Sequence, residues 1–421
     1  MHHVIVGNGP AGVIAAEAVR KLDAEAQITL IGDEPEPPYS RMAIPYFLVN
    51  NIAEEGTYLR KRDGHFDQLG VTLLEDRVVS LSTHDRTLTL EQGGVAAYDR
   101  LLIATGSRAV VPPIPGIDSP GVHACWTLDD ARQILRLANA GARVVLIGAG
   151  FIGSIILEAL AERGVDLSVV EMADRMVPRM MNQRCGSLIT QWCRDKGVNV
   201  YTQARVSAIE PHDGRAPLVV RLEGGEALPA ELVIRATGVV PNTEFLEGSG
   251  VAADGGVVVN EYLQTSVPEV YAAGDVALGK DFSTGGYSSL AIQPTAADHG
   301  RIAAANMVAQ GASAHPGGVV MNVLDTLGLI SSSFGAWQGV DGGDSAELSD
   351  PGRYRYLSLQ FEEDVLVGAN SLGLTQHVGV LRGLIQSRIR LGVWKERLRQ
   401  DPTRIMEAYL GATHGVTWAG V

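Results

Sequence analysis

Two glycine runs hold the chemistry that is legible first in this chain: Gly7-Asn8-Gly9-Pro10-Ala11-Gly12 and Gly148-Ala149-Gly150-Phe151-Ile152-Gly153. In each, the first glycine allows a tight strand-to-helix turn, the second lets the backbone approach a pyrophosphate, and the third lets the helix pack closely on its sheet. The helix start then offers unpaired N–H groups and a positive dipole end to phosphate oxygens. One such run alone is a weak signal, because ordinary glycine turns produce it. Here each run follows an apolar strand-like stretch (residues 4–6 and 144–147) and opens a stretch rich in alanine and leucine. Each is also followed, about twenty residues on, by an acid closing a second apolar run, Asp33 after 28–31 and Glu171 after 167–170. A carboxylate there can accept hydrogen bonds from a ribose diol, so two bound dinucleotides are expected.

The elements around these runs repeat as well. A short apolar strand ends in Ala104-Thr105-Gly106, and another ends in Ala236-Thr237-Gly238, so the duplicated unit is a whole nucleotide-binding module. Residues 71–74 and 87–90 alternate as strands do, with Gly93-Gly94 as a hairpin turn. Prolines 112, 113 and 115 stiffen a linker, and a second break follows at residues 237–242. Further strands are expected over 257–260 and 270–275, and a helix over 293–310 with Pro294 in its first turn. From residue 317 the pattern changes to strands over 319–323, 354–361 and 365–369, then a helical tail over 376–410 interrupted near Asp401-Pro402. These signals predict an α/β protein with two Rossmann-like dinucleotide-binding domains, one inserted in the other, and a C-terminal α+β interface domain. The expected boundaries are 1–111 with 241–316, then 112–240, then 317–421.

Composition narrows the function classes. At 421 residues, 46 % hydrophobic and 19 % charged, the chain can bury two or three cores, and 49 glycines suit a fold rich in phosphate-cradling turns. A net charge of −14 argues against nucleic acid as a partner. No apolar run is long enough to span a bilayer, and the first strand begins at Val4 with no room for a signal peptide, so a cytoplasmic location is expected. Cys125, Cys185 and Cys193 form no CxxC or CxxxxC pair, and the ten histidines show no ligand spacing, so no metal is expected. The tail is basic, with Arg382, Arg388, Arg390, Lys395, Arg397, Arg399 and Arg404. That stripe reads as a solvated face, a subunit contact, or a docking surface for an acidic electron carrier.

Residues 265–277, Thr-Ser-Val-Pro-Glu-Val-Tyr-Ala-Ala-Gly-Asp-Val-Ala, resemble the flavin-binding signature of the two-dinucleotide-domain flavoprotein reductases, the glutathione-reductase-like superfamily. With the two fingerprints, the two Ala-Thr-Gly turns and Pro37-Pro38-Tyr39-Ser40-Arg41, the resemblance covers essentially the whole chain. It is similar above all to the branch of rubredoxin and ferredoxin reductases, NADH oxidases and the flavin modules of nitrite reductases. The resemblance implies FAD at Gly7, Gly9, Pro10, Ala11, Gly12 and Asp33, completed by Arg41, Ala104, Thr105, Gly106, Gly274, Asp275 and Thr295. The resemblance also implies that Asp275 hydrogen-bonds the ribityl chain and that the helix starting at Pro294-Thr295 aims its positive end at the flavin. The resemblance implies NADH at Gly148, Gly150, Phe151, Ile152, Gly153, Glu171, Thr237 and Gly238, with NADPH less suited because Glu171 repels a 2′-phosphate. Arg175 and Arg179 lie near enough in sequence to soften that preference.

The departures matter equally. The helix after the first fingerprint has no cysteine pair, and Met42 stands where single-cysteine relatives carry a thiol. Tyr46 and Ile155 stand where the ferredoxin-reductase-like members carry a Lys–Glu pair, so Met42, Tyr46 and Ile155 are the flavin-proximal candidates and no catalytic residue is assigned. The implied activity is an FAD-dependent NADH oxidoreductase, without a redox-active cysteine, passing electrons to a rubredoxin- or ferredoxin-like carrier or a larger redox enzyme's subunit. A direct NADH oxidase, a quinone or small-molecule reductase, an NADH-responsive binding protein resembling apoptosis-inducing factor, and assembly into a homo-oligomer stay open.

Overall fold

The computed structural model describes residues 1–214, 216–283 and 285–413. Their contacts divide the chain into two compact units, residues 1–108 with 239–318, and residues 109–238 with the chain from 319 onward.

The first unit is built on a five-stranded parallel sheet in the order Val270–Ala272, Arg100–Ile103, His2–Val6, Gln27–Gly32, Val71–Glu75. Its central strands read as unbroken apolar runs because both faces are covered, and Val4, Ile5, Leu101, Leu102 and Ile103 are fully buried. The helix Pro10–Leu22 lies against the helix Gln293–Val308. Glycine permits this contact, since a Cβ on Gly300 would stand 2.5 Å from the Ala11 carbonyl oxygen. A small antiparallel sheet of Val78–Ser82, Thr87–Leu90 and Val95–Ala97 completes the inserted arm, turning at Gly93 as the glycine pair predicts.

The second unit repeats the plan. Its parallel sheet runs Asn199–Tyr201, Asp166–Val170, Arg143–Ile147, Leu232–Arg235, Val122–His123, with the helix Phe151–Glu162 after the fingerprint and an antiparallel arm of Val206–Pro211, Leu218–Leu222 and Ala227–Ala230. In both units the strand leading into the Ala-Thr-Gly turn lies beside the fingerprint strand, Ile103 opposite Val6 and Arg235 opposite Ile147. The sequence repeat is therefore a repeat of position.

The C-terminal part of this unit is a five-stranded antiparallel sheet in the order Met321–Thr326, Leu329–Gly335, Val365–Leu372, Arg355–Glu362, Asp344–Asp350. Two of these strands escape the sequence pattern. Leu329–Gly335 carries Ser331, Ser332 and Ser333 in its interior, all essentially buried, and Asp344–Asp350 is an edge strand with mostly exposed polar residues. The tail breaks twice, not once, into helices Val378–Ser387, Val393–Gln400 and Ile405–Thr413. The extra break falls where Arg388 (φ +49°) and Gly392 (φ +54°) leave the helical region. No helix among the described residues is long and apolar enough to cross a membrane.

The basic tail is largely neutralised. Arg390 pairs with Glu363 and Asp364, Lys395 with Asp344, Arg399 with Glu396 and Arg404 with Glu407. Arg397 lies over the Trp394 ring, 4.4 Å from its centre. Four of the seven cations named in the tail therefore meet acids, Arg399 and Arg404 three residues away along the chain and Arg390 and Lys395 on the adjoining sheet, while Arg382 donates to Gln386.

Candidate functional sites

The three glycines of the first fingerprint do three different things. Gly7 has φ +109°, and a Cβ there would run into the Ala104 carbonyl; a Cβ on Gly12 would run into the Gly7 carbonyl. These two are glycine because the protein itself fills the space. A Cβ on Gly9 would meet no protein atom within 4 Å, so that position faces room for a ligand. Gly7 N–H donates to Ile31 O at 2.7 Å, and the helix at Pro10 starts without a side-chain cap, leaving its first-turn N–H groups for an anion.

The second fingerprint has the same arrangement. Gly148 has φ +98° and a Cβ there would stand 2.5 Å from the Ala236 carbonyl oxygen; Gly153 is closed off by the Gly148 carbonyl; Gly150 faces open space. The helix Phe151–Glu162 also starts uncapped. Both cradles fit a dinucleotide pyrophosphate in the same way.

In the first unit, chain folding brings the flavin-signature turn onto the first helix. Gly274 (φ +77°) sits where a Cβ would be 3.2 Å from Ala11 Cβ, and its N–H donates to His299 Nδ1 at 3.4 Å. The neighbouring Asp275 is half-buried, partial desolvation raises its carboxyl pKa, and it accepts a hydrogen bond from Ser107 Oγ at 3.0 Å. Thr295 is buried in the first turn of Gln293–Val308, and Ser40 Oγ donates to Gln293. Arg41 pairs with Glu34 at 2.7 Å, whereas Asp33 is half-exposed with Arg77 at 3.8 Å. Asn242 secures the Thr105-Gly106 turn, accepting from Thr105 Oγ1 at its backbone oxygen (2.8 Å) and donating from Nδ2 to Thr105 O (2.9 Å). Met42 and Tyr46 are exposed in this unit, and Ile155 belongs to the other.

In the second unit Glu171 accepts the N–H groups of Ala149 and Ala173, each at 2.8 Å. Arg175 is fully committed, donating to the Met181 and Pro178 carbonyls and to Asp174 and Gln183. It is a clamp of the loop and not a free cation for a 2′-phosphate. Thr237 Oγ1 donates to Val110 O at 3.3 Å, and Gly238 has φ +110°.

Cys125, Cys185 and Cys193 are all buried free thiols. Burial raises all three thiol pKa values, that of Cys193 to about 12, which suppresses the thiolate that redox exchange needs.

Sequence reading missed Ser107, Asn242, Asn182 and Asn370. Their long-range partners lie 137 to 190 positions away, as Ser107 with Asp275 shows at a separation of 168. Two carry a local signal: Asn370, a polar residue inside the apolar strand Val365–Leu372, and Asn182, which caps the helix Gln183–Asp195 by accepting from Cys185 N–H at 3.0 Å.

Comparison with known proteins bears on both cradles together. The sequence profile described as "Pyridine nucleotide-disulphide oxidoreductase" matches residues 1–309. The epsilon subunit of NADH-dependent phenylglyoxylate dehydrogenase from Aromatoleum evansii is 32 % identical over 98 % of this chain and 97 % of its own length. Rhodocoxin reductase from Rhodococcus erythropolis is 32 % identical over 75 % of this chain and 73 % of its own. The crystal structure of the covalent putidaredoxin reductase–putidaredoxin complex shares the fold, with a TM-score of 0.88 at 24 % identity, covering 98 % of each chain. With two open pyrophosphate cradles and a profile that spans the greater part of its length, this chain belongs to the pyridine nucleotide-disulphide oxidoreductase family and is an FAD- and NADH-dependent oxidoreductase.

Proposed function

We propose that this protein takes electrons from NADH and delivers them, by way of FAD, to an iron–sulfur partner, either a small carrier protein or a subunit of a larger redox enzyme. The observation that carries the reading is the pairing of two open dinucleotide cradles with three buried, protonated thiols: electrons can enter, and no thiol stands ready to pass them on. The near-complete two-way coverage with the epsilon subunit of phenylglyoxylate dehydrogenase supports a resident subunit as the partner. Bound FAD would supply the hydride acceptance and electron release that no side chain here provides.

The chain's own residues bind, orient and select. Gly9 and the uncapped start of Pro10–Leu22 hold the FAD pyrophosphate, and Asp275, fixed by Ser107, accepts from the ribityl chain. Gly150 and the start of Phe151–Glu162 hold the NADH pyrophosphate. Glu171 favours the ribose diol over a 2′-phosphate, and Arg175, engaged with four acceptors, does not offset it. The uncapped start of Gln293–Val308 would present its positive dipole end to a bound flavin. The buried cysteines kept as thiols fit the reducing cytoplasm as the site of action.

The test has an anaerobic arm for flavin reduction and an aerobic arm for the competition between carrier and oxygen. NADH should bleach the flavin of the purified protein, and catalytic NADH consumption should be fast with a rubredoxin or ferredoxin and slow with oxygen alone. Oxygen-driven turnover equal to carrier-driven turnover would establish an oxidase instead, and failure of NADH to bleach the flavin would reject both.

A further inference from the structure

The loop from Glu171 to the helix Gln183–Asp195 bonds both to the second fingerprint and to the C-terminal sheet. At one end, Ala149, inside the fingerprint, is held twice: its N–H donates to the Glu171 carboxylate and its carbonyl accepts from Val177 N–H, both at 2.8 Å. At the other end stands Asn370, fully buried in the strand Val365–Leu372. Its Oδ1 accepts from Asn182 N–H at 3.1 Å, and its Nδ2 donates to Met180 O at 3.0 Å. On the adjacent strand the Tyr356 hydroxyl accepts from Asn182 Nδ2 at 2.6 Å. Between the two ends Val177 has φ +45°, although it is β-branched and fully buried. That backbone conformation is costly for valine and persists only where the surroundings over-determine it.

We propose that Asn370, with Tyr356, is a positioning residue for the pyridine nucleotide, holding a strained loop so that Val177 fixes the fingerprint turn at Ala149 and Glu171 stays aimed at the ribose. The C-terminal sheet is thereby part of the nucleotide site, although none of its residues carries a nucleotide motif. The inference rests on the assignment of the second fingerprint to NADH.

The experiment measures NAD+ binding to the oxidised holoenzyme by calorimetry, beside the KM and kcat for NADH, in Asn370→Ala, Tyr356→Phe, Val177→Gly and Asn370→Ala/Val177→Gly. Asn370→Ala should weaken NAD+ and raise the NADH KM by about tenfold, the size expected for one or two buried hydrogen bonds, with kcat and FAD content held within about twofold. Glycine at 177 removes the strain, so the double variant should recover most of the lost affinity. Tyr356→Phe, which keeps the packing, should weaken NAD+ about threefold and covers the case in which Asn370→Ala does not fold. Unchanged NAD+ affinity in both Asn370→Ala and Tyr356→Phe, whatever their melting temperatures, overturns the proposal, and so does an equal Asn370→Ala penalty in the Val177→Gly background. A wild-type protein without affinity for NAD+ overturns the fingerprint assignment and this proposal together.

Discussion

Gly9→Ala separates ligand binding from folding more cleanly than any other substitution in the first fingerprint. Gly9 has φ −73° and ψ −173°, extended backbone that alanine adopts without strain, and its Cβ would meet no protein atom within 4 Å. Alanine there should leave the apoprotein unchanged or stabilise it by up to about 1 kcal/mol through the unfolded chain. The added methyl does occupy the space through which a pyrophosphate approaches. Losing one or two N–H···phosphate bonds, each about 1.5–3 kcal/mol when charge-assisted, costs roughly 1.5–6 kcal/mol, or about tenfold to 20,000-fold in FAD affinity. Gly7→Ala contrasts with this. At φ +109° and against the Ala104 carbonyl, it should cost several kcal/mol of fold stability, a large part of the roughly 5–15 kcal/mol a domain has. Flavin content per chain, apoprotein melting temperature and FAD titration of the apoprotein measure both effects. Gly9→Ala that holds FAD within about twofold of wild type, or whose apoprotein melts as low as Gly7→Ala, would refute the reasoning.

Three further outcomes are expected. Glu171→Ala with Met172→Arg, the latter position being 62 % exposed, should lower the NADH-to-NADPH ratio of kcat/KM by about tenfold or more; an unchanged ratio would remove Glu171 from specificity. Burial, reinforced by Asp325 and Glu162, raises the Glu158 pKa from 4.5 to about 7, so the folded state binds this proton more tightly than the unfolded chain does. The resulting stability is complete below pH 4.5 and is lost as pH rises through about 7; melting curves of wild type minus Glu158→Gln should show that decline, and a flat difference would contradict it. Replacing Arg399 and Arg404, each paired with an acid three residues away, by glutamine should leave carrier-dependent turnover within about twofold, since surface cations already paired with acids contribute little; a steep fall would restore the tail as a docking surface.

The sequence by itself determined the duplicated α/β plan. Glycine turns, apolar strands and helix starts are encoded by neighbours in the chain, so Gly7 to Gly12 and Gly148 to Gly153 announce both cradles, and the Ala-Thr-Gly turns announce the strands beside them. The same locality made the absence of a cysteine pair legible. It could not reveal the serine-filled strand Leu329–Gly335 or the polar edge Asp344–Asp350, whose place is set by antiparallel partners and not by an apolar period. Nor could it show that Arg390 and Lys395 meet acids of the adjoining sheet, or that Arg175 is consumed by its own loop's carbonyls. Ser107 on Asp275, Asn242 on the Thr105 turn and Asn370 on the loop after Glu171 are the work of tertiary structure alone. Each is a hydrogen bond whose two ends lie far apart in the chain, and a buried polar group finds its partner only once the sheets have closed around it.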